Sequence, residues 1–445
     1  MVSRVNLFGS FERGLGDMRL SSSSRGGMPR SRRAAWVGLA AVVSLAAAAC
    51  GSSGGGSGSS GGSNTVPSIS VNSFSTDVAS VMSPFKALTQ FATKGANSLQ
   101  VGVVLPDTTS SQRWVDFDQP YLTDAFADAG YTQAQFRIDN AQGSDATQLN
   151  DATADINLGA KILIVTPLDG PTGIAIAKEA QSHGVTLIAY DRAIFQGNKT
   201  YYVSFDGEKV GENIGTGFLS CLTSENVSNG QVYVMNGGED TDPNAISFAT
   251  GYNKVVFGQA AKTVSAGAKT TSGGGTLVQE NFAPGWNNTQ AGTIFQQAFT
   301  AHKQINATIE ANDGLANSVI TVLKGAGVKP NSVPTTGQDA TAQGMAWILQ
   351  GYQCGSVYKA IYKEAQAAVA LGTILLAGGK PPAALLNGKT TDPTSPTTVE
   401  PAVLLTPVWV TKANMESTVV ADGFDSATAI CTIAGATVCA AAGIK

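Results

Sequence analysis

GVTLIAYDRAIFQGNKTYYVSFDGEKVGE, residues 184–212, decides how the rest of this chain reads. Val185 to Tyr190 is a short apolar run rich in β-branched and aromatic residues, the pattern of a buried strand. It stops at the charge pair Asp191-Arg192. A second strand, Tyr201 to Phe205, stops at another carboxylate, Asp206, before Gly207 and a helix-like segment. In open α/β sheets, ligands bind beyond the carboxyl ends of strands. The first pair is therefore placed to grip a small polar ligand, and Asp206 marks where the chain first leaves one lobe for another.

The same alternation extends in both directions. Upstream run LQVGVVLP, a helix from about Arg113 to Ala129, AQFRID, a helix over Asp145–Leu158, KILIVTP and a helix over Thr172–Ser182. Downstream come a helix near Lys209–Leu222, QVYVMNGG, a helix over Ala245–Ala261, TLVQE, a helix over Asn288–His302, ATIEAND and a helix over Ala316–Gly325. PTTGQD, Ala342–Leu349, GSVYK and Ala360–Leu376 complete the series. Strands alternating with helices predict parallel sheets covered on both faces. Two successive halves of this kind predict an α/β protein with two similar lobes.

The 445 residues suffice for two or three domains. Upstream of the folded region, Arg30, Arg32 and Arg33 precede an apolar run from Ala34 to Ala49 that ends at Cys50 and a Gly/Ser tract. A basic start, an apolar centre and small residues before the cut describe an export signal over residues 1–49, with Met28 opening its ordinary part. AAAAC resembles a bacterial lipobox, which makes Cys50 a lipidation site and membrane anchor. An uncleaved anchor is the alternative, but 16 apolar residues are short for a spanning helix. Gly51 to Ser63 is a flexible tether, followed by a less regular preface with one amphipathic helix around Val78–Phe91. After residue 49 there are 21 basic and 30 acidic residues, a net charge of −9 without a basic cluster, which argues against nucleic-acid binding. Cys221, Cys354, Cys431 and Cys439 remain, an even number suited to an oxidising compartment. Cys431 and Cys439 could close a small loop with Cys221–Cys354 as the other pair, or all four could be free buried thiols.

Past the leader, Arg occurs only at 113, 137 and 192, and Trp only at 114, 286, 347 and 409. Arg113-Trp114 and Arg192 follow strand ends, while Trp286 sits in the loop APGWNN. An indole face beside a fan of guanidinium donors suits a sugar, whose C–H face packs on the ring while its hydroxyls exchange hydrogen bonds at the edge. The bland alternative is core Trp and surface ion pairs. Asn312-Asp313, Gln338-Asp339 and Lys359 also close strands, and Asn244 follows the sheet-end loop GGEDTDPN. Such residues are often helix N-caps, a reading that applies to Asp313 and Asp339 in particular. Repetition from strand to strand favours a binding site. With His only at 183 and 302, a His-based centre has no material, and no zinc or calcium spacing occurs. The Gly211, Gly215, Gly217 spacing is wrong for a dinucleotide loop. No metal or other cofactor and no enzymatic activity are expected.

These residues bring the chain close to one family. RW at 113–114, AYDR at 189–192, SFDGEKVGE at 204–212, PGW at 284–286, AND at 311–313, TGQDA at 336–340, SVYK at 356–359, LLTP at 404–407 and DGF at 422–424 resemble, in unbroken order, the exported D-xylose-binding proteins of bacterial sugar importers. The resemblance implies the type I periplasmic binding protein fold: two lobes, each a parallel sheet flanked by helices, joined by three crossover strands near Asp206, Lys359 and Leu405. It divides the chain into an N-terminal lobe (99–206 with 360–404) and a C-terminal lobe (207–359 with 405–445), after the signal (1–49) and the anchor, tether and preface (50–98). It implies Arg113, Trp114, Asp191, Arg192, Asn244, Trp286, Asn312, Asp339 and Lys359 as sugar contacts. It also places Cys221 and Cys354 in one lobe, away from the cleft, where pairing is plausible.

The function implied is an extracytoplasmic lipoprotein, at the cell surface or in the periplasm. It would deliver xylose or a similar monosaccharide to an ABC permease as a monomer, touching the membrane through its lipid and no nucleic acid. The alternative is a sugar sensor whose closed form docks on a chemoreceptor or kinase ectodomain. A glycan-processing enzyme would need two carboxylates facing one bond at defined separation.

Overall fold

In a computed structural model, residues 66–76, 78–92, 97–111, 113–195, 200–393 and 395–445 are described, apart from the side chains of 78–83 and 396. The expected export signal, the expected lipidation site Cys50 and the Gly/Ser tract lie outside the described residues. The described residues form one compact unit. Among the described residues no helix is long and apolar enough to cross a membrane.

The preface contributes α1 (Val78–Ala92), packed against the later helices α2 (Gln119–Asp128) and α10 (Ile361–Leu376). Its Phe85, Leu88 and Phe91, with Ile69 and Phe74 before it, are buried in the same core as Val101 and Val103. The segment that sequence patterning left without a role thus completes the first apolar core.

That core lies against a seven-stranded sheet. It contains β1 (Val101–Leu105), β2 (Phe136–Asn140), β3 (Ile162–Val165), β4 (Thr186–Tyr190), β5 (Thr200–Phe205), β10 (Gly388–Asp392) and β11 (Ser395–Leu405). The order is β10-β11-β5-β4-β3-β1-β2, parallel except for the antiparallel β10–β11 pair. Strand β3 is buried at every residue, as a strand covered on both faces must be. One face packs on α1, α2 and α10. The other packs on α3 (Asp145–Asn157) and α4 (Gly170–Ser182) through Ile156, Ile176 and Ala180. Asp169 caps α4 by accepting from the Thr172 amide, and Ser144 caps α3 in the same way through Thr147.

A second set of strands holds β6 (Gly230–Gly237), β7 (Gly275–Ala283) and β8 (Ala307–Glu310), all parallel in the order β7-β6-β8. A further pair, β9 (Ser356–Tyr358) and β12 (Val408–Val410), is antiparallel. Their apolar core draws on α5 (Gly207–Ser224), α6 (Pro243–Phe257), α7 (Asn288–Ala301), α8 (Asp313–Gly325) and α9 (Ala342–Gln350). Three stretches run from one strand set to the other, at Phe205–Gly207, Tyr358–Ile361 and Leu405–Val408.

The expected strand PTTGQD is corrected to an extended segment, bridged to β9 only at Gln338–Val357. Side chains interrupt its ladder to β8: the Glu310 amide donates to Thr336 Oγ1 (2.9 Å), and the Thr336 amide donates to Glu310 Oε2 (3.1 Å). Beyond residue 424 the tail forms α11 (Ala427–Ala434) and α12 (Ala436–Ala442), packed on α9. Cys431–Cys439 and Cys221–Cys354 are disulfide-bonded.

Candidate functional site

Seven strand ends and loops converge on one small cavity. Arg113, Trp114, Asp191, Arg192, Asn244, Trp286, Asn312, Asp339 and Lys359 all line it, so the structure gathers every side chain that the sequence singled out. Ser110, Ser111, Phe248 and Gln338 complete the lining.

The loop after β1 sets the first group. Asp107 closes a tight turn by accepting from the amides of Thr109 (2.7 Å) and Ser110 (2.5 Å) and from the Ser110 hydroxyl (2.6 Å). Ser110 Oγ in turn accepts from the Trp114 indole N–H at 3.1 Å, fixing the ring. Trp114 opens a wide π-type turn, Trp114–Asp118, that leads into α2; such turns recur at functional sites. The guanidinium carbons of Arg113 and Arg192 lie 4.5 and 5.4 Å from the centre of that ring, within cation–π range.

Asp191, immediately after β4, is the electrostatic centre. Its Oδ1 accepts from Arg113 Nη1 (2.5 Å) and Lys359 Nζ (3.0 Å), and its Oδ2 accepts from Asn244 Nδ2 (3.2 Å). Burial opposes its ionisation, but Arg113, Lys359 and Arg192 together outweigh burial and hold the carboxyl far below the usual carboxylate range. Its φ of 60° is left-handed, as are the 96° of Asp339 and the 57° of Trp286. Non-glycine residues hold such conformations only where the surroundings compel them, and functional sites concentrate them.

The second strand set supplies the opposite wall. Asp242 caps α6 through the amides of Asn244 and Ala245, with Pro243 in the first turn, where its missing N–H is harmless. Asp242 Oδ2 also accepts from the Trp286 indole N–H at 2.8 Å. The Trp286 ring lies directly on Gly237 and Gly238; a Cβ at Gly237 would come within 1.9 Å of it. Gly237, the last residue of β6, thus makes the seat for the indole.

The alternative cap reading of Asp313 and Asp339 does not hold here. Asn312, not Asp313, caps α8, its Oδ1 accepting from the Leu315 amide at 2.9 Å. This leaves its NH2 group for the cavity. Asp313 is instead a buried node that accepts from Thr341, Gln353 and Ser356. Thr341, not Asp339, caps α9. Asp339 Oδ2 accepts from Ser111 Oγ at 3.1 Å, while Gln338 Nε2 bonds its Oδ1. Ser111–Asp339 and Asn244–Asp191 therefore tie loops of the first sheet to loops of the second.

Two carboxylates behind the lining had no counterpart in the sequence reading. Asp118 takes Arg113 through both oxygens, at 2.8 Å from Nε and 2.7 Å from Nη2, and Glu364 Oε2 accepts from Nη2 at 2.8 Å. Burial, opposed by Arg113, pushes the Glu364 carboxyl up to about 8. Three cations (Arg113, Arg192, Lys359) thus alternate with the carboxyl groups of Asp118, Asp191, Asp339 and Glu364 at and directly behind the lining. A cavity of fixed donors and acceptors with two indoles suits an uncharged polyol. Among the described residues no group of three His, Cys, Asp or Glu side chains could hold a metal ion.

Comparison with known proteins gives a consistent result. The profile of a family described as periplasmic binding protein domain matches residues 101–380. The D-xylose-binding periplasmic protein of Escherichia coli (strain K12) is 32% identical over 293 residues, covering 65% of this chain and 82% of the relative. Its namesake in Haemophilus influenzae is 30% identical over 341 residues, covering 76% and 94%. Among solved structures, a carbohydrate transporter solute binding protein from Chloroflexus aurantiacus in complex with D-glucose superposes with a TM-score of 0.63 at 24% identity. That match covers 75% of this chain and 98% of the other.

Proposed function

This chain belongs to the periplasmic binding protein domain family, and on that footing we propose that it captures xylose or a similar neutral monosaccharide and delivers it to an ABC importer. The observation that carries this reading is the convergence of two indoles, three cations, two carboxylates and three amides on one cavity between the two strand sets. The similarity to two D-xylose-binding periplasmic proteins supports a pentose or a close relative as guest. The residues proposed to touch it are Arg113, Trp114, Asp191, Arg192, Asn244, Trp286, Asn312, Asp339 and Lys359.

The strand sets act as two lobes, 99–206 with 360–404 and 207–359 with 405–445, hinged at the three connecting stretches. A guest between them favours closure, because only the closed arrangement offers all its contacts at once. Ser111–Asp339 and Asn244–Asp191 are contacts of that closed arrangement. Residues 1–49 direct export, and lipidated Cys50 tethers the protein outside the cytoplasmic membrane. The family consists of solute-binding proteins, and nothing is made or broken in this cycle.

Thermal-shift screening of the purified protein against pentoses and hexoses tests the reading. A rise in Tm that saturates with one neutral monosaccharide supports it. Equal Tm values with every neutral sugar would remove it.

A further inference from the structure

Arg113 is held by three carboxyl groups, and two of them, Asp118 and Glu364, lie outside the cavity lining. A guanidinium carries five N–H donors in a rigid fork. Asp118 and Glu364 take three of them and Asp191 takes one, which leaves a single Nη1 hydrogen for a guest. Arg113, Asp118 and Glu364 are all at most 2% exposed, so solvent supplies no substitute partner.

The alternative arrangement explains why this matters. Arg and carboxylate prefer a two-pronged pairing. Without braces, the Arg113 fork would close on both oxygens of Asp191, the carboxylate nearest its Nη1 edge. Asp191 Oδ2, now bonded to Asn244, would then be lost to the second strand set and to any guest. Asp118 prevents this by occupying the Nε–Nη2 edge itself, and Glu364 holds the remaining Nη2 hydrogen.

We propose that Asp118 and Glu364 are positioning residues for monosaccharide recognition, which turn Arg113 so that only its Nη1 edge meets Asp191 and the guest. The proposal rests on the sugar-binding reading above. Glu364 sits in the first turn of α10, immediately after the stretch that carries Lys359, so both cations that meet Asp191 Oδ1 are set from one segment. Glu364 meets Arg113 through a single oxygen, Oε2, and a Gln amide oxygen reproduces that acceptor.

The test compares Asp118→Asn, Glu364→Ala and Glu364→Gln with the wild type. In calorimetric titration with the monosaccharide that stabilises the wild type most, Asp118→Asn and Glu364→Ala weaken affinity by about tenfold or more, and Glu364→Gln restores it. A second measurement needs no sugar. Phenylglyoxal modification at Arg113, followed by peptide mass mapping, is slow in the wild type and Glu364→Gln and faster in Glu364→Ala. Where Asp118→Asn does not fold, the two Glu364 variants carry both readouts. Unchanged affinity in Asp118→Asn and Glu364→Ala, with Arg113 equally protected throughout, would overturn the proposal. A wild type that binds no sugar while Arg113 protection follows the pattern above leaves the bracing standing and counts against the sugar reading.

Discussion

Arg192 and Asp339 touch the cavity from opposite strand sets, and each is a charged group hydrogen-bonded out of water. A charge-assisted hydrogen bond contributes about 1.5–3 kcal/mol, so Arg192→Ala or Asp339→Asn is expected to weaken sugar binding by about ten- to a hundredfold. Calorimetry of each variant checks this, and wild-type affinity in Arg192→Ala would remove that residue from the site. Gly237→Ala has a different origin: the added methyl would collide with the Trp286 ring, and loss of binding is expected together with a lower Tm. The lining was legible in sequence because Arg and Trp are scarce past the leader and because polar residues recur just past one strand end after another, where the fold puts ligands. Ser110 and Ser111 were not, since short polar residues fill most loops. Asp118 and Glu364 were hidden for a better physical reason. A carboxylate in a helix reads as solvent-facing, and only the buried guanidinium beside these two makes their burial tolerable.

At the level of elements, the π-type turn that starts with Trp114 also presents Phe117, which stacks on Phe424 with ring centres 4.0 Å apart and planes 15° apart. Phe424 belongs to the core of the second strand set, so this stack holds the two sets together beside the site. Aromatic pairs are worth about 0.5–1.5 kcal/mol beyond burial. Phe117→Ala is therefore expected to weaken sugar binding several-fold by disfavouring closure, with every polar contact intact. Identical titration curves for this variant and the wild type would show that the stack does not bias closure. The Cys221–Cys354 bridge closes a 133-residue separation between the end of α5 and the approach to β9. Removing a native disulfide typically costs about 2–5 kcal/mol, and urea unfolding of Cys221→Ser is expected to show a loss in that range. The alternation of strands and helices was legible because buried parallel strands are apolar throughout and their helices are capped. Strands β10 and β11 escaped it, because their Pro- and Thr-rich sequence reads as a loop and only pairing with β5 makes β11 a strand. PTTGQD erred in the opposite direction, its ladder replaced by Thr336 and Glu310.

The molecule as a whole buries several carboxyls that burial pushes upward: Asp155 and Glu225 to about 7, Glu310 and Glu364 to about 8, and Asp425 to about 7. The folded state therefore binds more protons than the unfolded chain between the ordinary carboxyl range and about pH 8. Stability is expected to fall as pH rises through that window and to level off above it. Asp191 acts in the opposite sense, its contribution disappearing only under strongly acid conditions. Melting curves from pH 5 to 9 check the sign: a higher Tm near pH 5.5 than near pH 8.5 is expected. The two-lobed plan and the net negative charge were legible from the whole sequence, whereas the preface was not, because α1 becomes apolar core only through its contact with α2 and α10. The most direct measurement is isothermal titration calorimetry of the purified protein with D-xylose and a panel of neutral pentoses and hexoses. Saturable binding of one monosaccharide per chain, with Kd near 1 µM or tighter (about −8.2 kcal/mol), is the expected result. No heat from any of these sugars, at protein concentrations that would register millimolar binding, would contradict the account.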